Sequence, residues 1–166
     1  RKDEAGSPAL QGGVVHQYHS HQGNIMTLTS EEVAWDVDGI SVRGTLTRPA
    51  GMAPHPGIIF VAGSGPTDRD WCSPLLPGTN CSGRLMAEAL TREGFMTLRY
   101  DKRASGPHAQ EDARRLAGRI SMQSHLDELI GAVDTLCSDG DVDPTRLFVL
   151  TNSEGAIHAL HYQLQA

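Results

Sequence analysis

Arg146-Leu147-Phe148-Val149-Leu150-Thr151-Asn152-Ser153-Glu154-Gly155-Ala156 is an apolar run that passes straight into a serine flanked by small and polar residues, with a helix-forming stretch behind it. The pattern has the shape of a nucleophile elbow, the motif written G-x-S-x-G. There a serine occupies a turn so sharp that its Oγ stands clear of the sheet, beside the first N–H groups of the next helix. A strand feeding a helix through such a turn predicts an α/β fold with a parallel sheet. Only thirteen residues follow Ser153. Where this elbow occurs, the acid and the histidine that activate the serine come after it in the chain.

Upstream, the chain alternates elements in the order the elbow requires. Glu31 to Val37 and Ile40 to Thr47 alternate apolar and polar residues around Asp38-Gly39, which predicts an antiparallel hairpin. Pro49, Gly51, Pro54 and Pro56 break that rhythm. Gly57 to Gly63 then forms a short apolar run of the kind buried on both faces. Asn80 is placed to cap a helix carrying Leu85, Met86, Ala89 and Leu90 on one side, with Gly94 ending it. Phe95 to Tyr100 reads as a strand and Asp101 to about Arg119 as a polar loop. Met122, Leu126, Leu129, Ile130, Val133 and Leu136 recur at helical spacing. The series is hairpin, strand, helix, strand, helix, strand, helix: one α/β domain over 25–166, with parallel strands joined by helical crossovers and ending just after the elbow helix. Residues 1–24, rich in Gly, Ser, Gln and His, read as a flexible arm. Its His16, His19 and His21 lack a nearby carboxylate or cysteine, which favours a solvated tail over a metal site.

Composition excludes several classes. A chain of 166 residues with a net charge of −6 has neither the clustered Lys and Arg of a nucleic-acid surface nor a run of about 20 apolar residues to span a membrane. Cys72, Cys81 and Cys137 lack the spacing of a zinc site. Cys72 and Cys81 share a loop and could bridge, but buried, free cysteines are the favoured reading. No metal, nucleotide or flavin signature is present, and no cofactor is expected.

Three motifs, taken with their order, resemble the amino-terminal half of an α/β-hydrolase from a bacterial esterase and serine-peptidase-like group, over roughly residues 31 to 166. Ala62-Gly63-Ser64-Gly65-Pro66-Thr67-Asp68-Arg69-Asp70 is similar to the group's oxyanion loop. Tyr100-Asp101-Lys102-Arg103-Ala104-Ser105-Gly106 is similar to its Y-D-x-R-G-x-G loop. Asp143-Pro144-Thr145-Arg146 leading to Asn152-Ser153-Glu154-Gly155 resembles its D-P-x-R lead-in and H-S-E-G elbow. The resemblance implies a serine hydrolase cleaving carboxylic esters through an acyl-enzyme at Ser153. The backbone N–H groups of Ser64 and Glu154 would form the oxyanion hole, and glycines at 63 and 65 would let the backbone approach the substrate. A serine peptidase or amidase is the alternative within enzymes.

Each of these residues also has a plainer reading. From Asn152-Ser153-Glu154 alone, Ser153 serves as well as a helix N-cap; the glycine-rich loop and the strand order favour the nucleophile. Asp101 and Arg103 are expected to form an ion pair that shapes their loop. The Glu154 side chain is expected to point away from Ser153 Oγ and to favour the helix dipole. Thr151 stands where the elbow usually has glycine and crowds the turn, and Ala104 replaces a glycine, disfavouring positive φ there. His158 and His161 lie on the elbow helix and are carried away from Ser153 at about 1.5 Å per residue. His55, His108 and His125 precede the serine. The chain is therefore expected to be inactive or incomplete for want of a triad acid and histidine, with a noncatalytic binding or assembly module as the alternative. The expected partners are a small-molecule ester and a completing chain or second copy added at an exposed sheet edge, with neither nucleic acid nor a membrane span.

Overall fold

The computed structural model describes residues 14–19, 25–116 and 118–165. Its elements are β1 (Val14–His19), β2 (Ile25–Val37), β3 (Ile40–Arg48), β4 (His55–Val61), α1 (Ser82–Arg92), β5 (Met96–Asp101), α2 (Ala109–Arg115), α3 (Met122–Cys137), β6 (Val142–Thr151) and α4 (Gly155–Gln165), with a 3-10 turn at Gly106–His108. Among the described residues, six strands form one mixed sheet in the order β1-β2-β3-β5-β4-β6. β1 to β3 and the β3/β5 pair are antiparallel, and β5, β4 and β6 run parallel.

The β2–β3 hairpin turns at Asp38 and Gly39, with φ of 56° and 76°. Positive φ at both central residues matches the right-handed twist of the flanking strands. Strand β4 sorts its side chains by parity: Ile59 and Val61 join one core with Leu98, Tyr100, Leu129, Ala132 and Leu136, while Ile58 and Phe60 join another with Ala87. Helices α3 and α1 therefore cover opposite faces of the parallel strands. Burial of each such aliphatic side chain contributes about 1.5–3 kcal/mol. After β4 the chain steps to β5 on one side and returns as β6 on the other. Right-handed crossovers in opposite directions put their helices on opposite faces and leave a crevice beyond the carboxyl ends of β4 and β6. Gly63 and Ser153 follow those two strands.

Several expectations require correction. Within the stretch read as an arm, residues 14–19 form β1, paired along its length with β2 from Val14↔Ser30 to His19↔Ile25. The polar composition hid a strand whose partner supplies its hydrogen bonds. His21 and the rest of the arm lie outside the described residues. Cys72 and Cys81 are not free but disulfide-bonded, with Cα atoms 4.8 Å apart, and Cys137 is free and exposed rather than buried. A turn around Asp68, whose Oδ1 accepts from the N–H of Asp70 at 2.9 Å and of Cys72 at 2.8 Å, folds the loop back and brings the two thiols together.

Asn80 is not the helix cap. Cys81 takes that position, in the left-handed region at φ 44°, without a side-chain cap bond. The Asp70 carbonyl accepts instead from the first-turn N–H groups of Gly83 at 2.9 Å and Arg84 at 3.4 Å. Helix α1 is correspondingly rotated: it buries Gly83, Ala87 and Thr91, and leaves Leu85 and Met86 exposed. The polar loop after β5 contains the 3-10 turn and α2.

Candidate active site

Ser153 sits between the end of β6 and the start of α4 at φ 51°, and the residue is exposed. A non-glycine residue held there costs about 1–3 kcal/mol, which surrounding contacts must offset. They do so at three points: Asn152 N donates to Val61 O at 3.1 Å, Gly155 N to Asn152 O at 2.9 Å, and Ala156 N to Ser153 O at 3.0 Å. The first bond fastens the elbow to the neighbouring strand and the other two wind the chain into α4. A Cβ built on Gly155 would lie 2.5 Å from Val61 O, so glycine there lets the first helical turn rest on the backbone of β4.

The glycine-rich loop after β4 meets the elbow at Gly63. A Cβ at that position would lie 3.3 Å from both Asn152 O and Ser153 Cβ. The structure thus places Gly63 beside Ser153, with Ser64 next in the chain and exposed. Among the described residues, neither the Ser64 N–H nor the Glu154 N–H donates a hydrogen bond, and the Ser153 hydroxyl has no hydrogen-bond partner.

The loop is held by charge. Arg69 Nε donates to Asp101 Oδ2 at 2.9 Å, and Arg69 N to Asp101 Oδ1 at 2.8 Å. The same guanidinium reaches Glu32 Oε2 at 2.7 Å and Thr45 Oγ1 at 2.8 Å. Arg99 pairs with Asp70. Asp101 and Arg103, expected to pair with each other, therefore have different partners. Arg103 Nε lies 2.5 Å from Glu128 Oε1, both side chains fully buried. The alternation of β5 explains the split, because Asp101 faces the loop and α1 while the chain beyond it turns under the sheet toward α3.

Beneath the elbow lies a buried polar cluster that sequence reasoning did not assemble. Lys102, 3% exposed, donates from Nζ to Gly63 O at 2.6 Å. Burial lowers its pKa, opposed by the charges of Glu154 and Glu128. The His125 and His158 rings pack against each other with centroids 4.7 Å apart and planes tilted by 52°, and His125 Nδ1 lies 3.0 Å from Glu128 Oε2. His158 Nε2 is 3.3 Å from Glu154 Oε1, an ion-pair contact without hydrogen-bond alignment, and neither buried ring nitrogen has a hydrogen-bond partner. Burial, followed by the charges of His125 and Lys102, depresses the His158 pKa despite Glu154. The Glu154 carboxylate is thus engaged with the His158 ring. His158 is buried on α4, whereas Ser153 is exposed. The only signal for this cluster was the placement of Lys102 in the loop after β5. Its partners are distant in sequence.

No protein-family model matches the chain. It is 30% identical to Esterase EstD of Thermotoga maritima over 122 residues, covering 74% of this chain and 27% of that protein. The chain thus spans about a quarter of the curated relative it matches. Among solved structures, 2,6-dihydroxy-pseudo-oxynicotine hydrolase superposes with a TM-score of 0.62 at 22% identity, over 82% of this chain and 34% of that one. Dienelactone hydrolase from Anabaena variabilis gives 0.58 at 22% identity, over 91% and 58%. An acetyl xylan esterase from Paenibacillus sp. R4 gives 0.59 at 16% identity, over 93% and 50%. The sheet order, the strand-turn-helix at Ser153 and these likenesses give the chain part of the α/β-hydrolase fold and support its relationship to the α/β-hydrolase superfamily.

Proposed function

We propose that this protein belongs to a carboxylic ester hydrolase in which Ser153 is the nucleophile. The observation that carries the reading is the left-handed Ser153, exposed at the switch point of the sheet with the Gly63 backbone packed against it. Strain at a single exposed serine, offset by three backbone hydrogen bonds, is what a turn built to present a hydroxyl requires. In the reaction, Ser153 Oγ bonds to the carbonyl carbon and gives up its proton to a base, while the carbonyl oxygen becomes an oxyanion facing the Ser64 and Glu154 N–H groups. Collapse breaks the bond to the alkoxy group, which leaves as an alcohol, and water then releases the acid from the acyl-serine. Losing one oxyanion donor costs about 10²–10³-fold in rate. The relative named as an esterase supports an ester as the substrate; an amide substrate uses the same half-site.

A second reading has its own observation. Among the described residues no imidazole contacts the Ser153 hydroxyl, and His158 is turned to Glu154 and His125. Without a base from outside these residues, the chain is a noncatalytic remnant that binds or assembles. β6 is the last strand in the sheet order, and Phe148 on it and Ile157 and Leu160 on α4 are exposed. A completing chain or a second copy would add at that edge.

A fluorophosphonate probe separates the two readings. In the full-length gene product, the hydrolase reading expects a covalent adduct at Ser153, located by peptide mass spectrometry and lost in Ser153→Ala. A folded protein that remains unlabelled overturns it in favour of the remnant.

A further inference from the structure

The Gly63–Ser64 peptide spans the boundary between interior and surface: Gly63 is buried and Ser64 exposed. Its carbonyl is engaged on the inner side, accepting from Lys102 Nζ at 2.6 Å. A trans peptide is planar, with the C=O of one residue and the N–H of the next pointing in opposite directions. A carbonyl held inward therefore turns the Ser64 N–H outward, to the side on which Ser153 is exposed.

Lys102 is suited to fix that orientation. Its own backbone is anchored, because Lys102 O accepts from Ser105 Oγ at 2.6 Å and Ser105 N at 3.0 Å. Its side chain is sheathed by protein, with Glu128 and Glu154 near enough to offset part of the cost of burying a charge. An ammonium hydrogen bond to a carbonyl is about twice as strong as a neutral one. Glycine at 63 would otherwise leave the peptide free to rotate.

We infer that Lys102 is a positioning residue for acyl transfer: it holds the Gly63 carbonyl inward and so aims the Ser64 N–H at the oxygen of a carbonyl under attack by Ser153. The inference rests on the hydrolase reading and adds to it the group that orients one of the two donors. Lys102 touches no reacting atom and acts through the peptide alone. The expected signature is loss in the transition state rather than in ground-state binding.

The test uses the full-length gene product and the variant Lys102→Met, which keeps an unbranched side chain one atom shorter and removes the donor. With a p-nitrophenyl ester, kcat is expected to fall about 10- to 100-fold with KM within about threefold. Affinity for a trifluoromethyl ketone, which forms an oxyanion on the serine, should fall in parallel with kcat/KM. A folded K102M protein with unchanged kcat and unchanged ketone affinity overturns the inference. Should K102M fail to fold, Lys102→Leu, likewise without a donor, is read in the same way.

A crystal structure of the variant supplies an arm independent of turnover: the 63–64 peptide is expected to rotate, and an unmoved peptide overturns the inference whatever the activity. Failure of the underlying reading has a different signature. If fluorophosphonate leaves wild-type Ser153 unlabelled, the hydrolase reading falls, and the oxyanion role of Lys102 falls with it. If wild type and K102M label equally fast, only the Lys102 inference falls.

Discussion

Two residues without the freedom of glycine sit in the left-handed region: Ser153 at the elbow after β6, at φ 51°, and Ala104 in the loop after β5, at φ 60°, where its Cβ was expected to disfavour positive φ and does not prevent it. For an L-residue that conformation costs about 1–2 kcal/mol, from the close approach of Cβ to a carbonyl oxygen. Glycine removes that cost but loses about 0.5–1 kcal/mol of extra chain entropy on folding. Both Ala104→Gly and Ser153→Gly are therefore expected to raise unfolding stability, by up to about 1 kcal/mol each. Urea denaturation at neutral pH would register this as a higher midpoint with unchanged slope. The two differ in consequence: A104G should label with fluorophosphonate like the wild type, whereas S153G should not label at all. A fall in the S153G midpoint would mean that the serine side chain itself stabilises the turn, as a helix cap does, and would favour the plainer reading of that residue.

Elements were legible where the signal is periodic and local. The alternation of β2 and β3, the apolar run of β4 and the three- and four-residue spacing of α3 each report a face that must be buried, so the succession of strands and helices from β2 onward, with Ser153 between the last strand and the last helix, followed from them. Contacts between elements were not legible. The rotation of α1 depends on Asp70 reaching the helix start, the Cys72–Cys81 bond on the Asp68 turn, and the Lys102–Gly63 bond on two strands lying side by side 39 positions apart in sequence. Period and propensity carry no information about such pairings. The crossing of α4 over β4 belongs to the same class, and Gly155 controls it. In Gly155→Ala the new Cβ would lie 2.5 Å from Val61 O, a main-chain atom that cannot swing aside. The helix start must shift instead. The expected outcome is a loss of about 1–3 kcal/mol in stability and a fall in Ser153 labelling of roughly tenfold or more, since misplacement by about 1 Å can cost 10²-fold in rate. Labelling and stability both unchanged would mean that the elbow tolerates sliding.

Taken whole, the molecule ties its layers together through the buried polar cluster as well as through its apolar cores. Lys102 and Arg103 come from the turn after β5, His125 and Glu128 from α3, and Glu154 and His158 from the elbow and α4. Within the cluster, the pKa of His158 is displaced by burial and by the charges that face it. His125 and Lys102 disfavour a proton there, Glu154 favours one, and burial, the largest influence, disfavours it. Its folded pKa therefore lies below the ordinary 6.5, so on acidification the unfolded chain takes up a proton that the folded chain refuses. Stability is unaffected by this residue well above that value and is lost as pH falls below about 6.5 toward the folded pKa. Unfolding free energies measured from pH 8 to 5 are expected to decline more steeply for the wild type than for His158→Gln, with the two curves parallel only above about pH 7. Parallel curves throughout would mean that His158 does not carry the acid sensitivity.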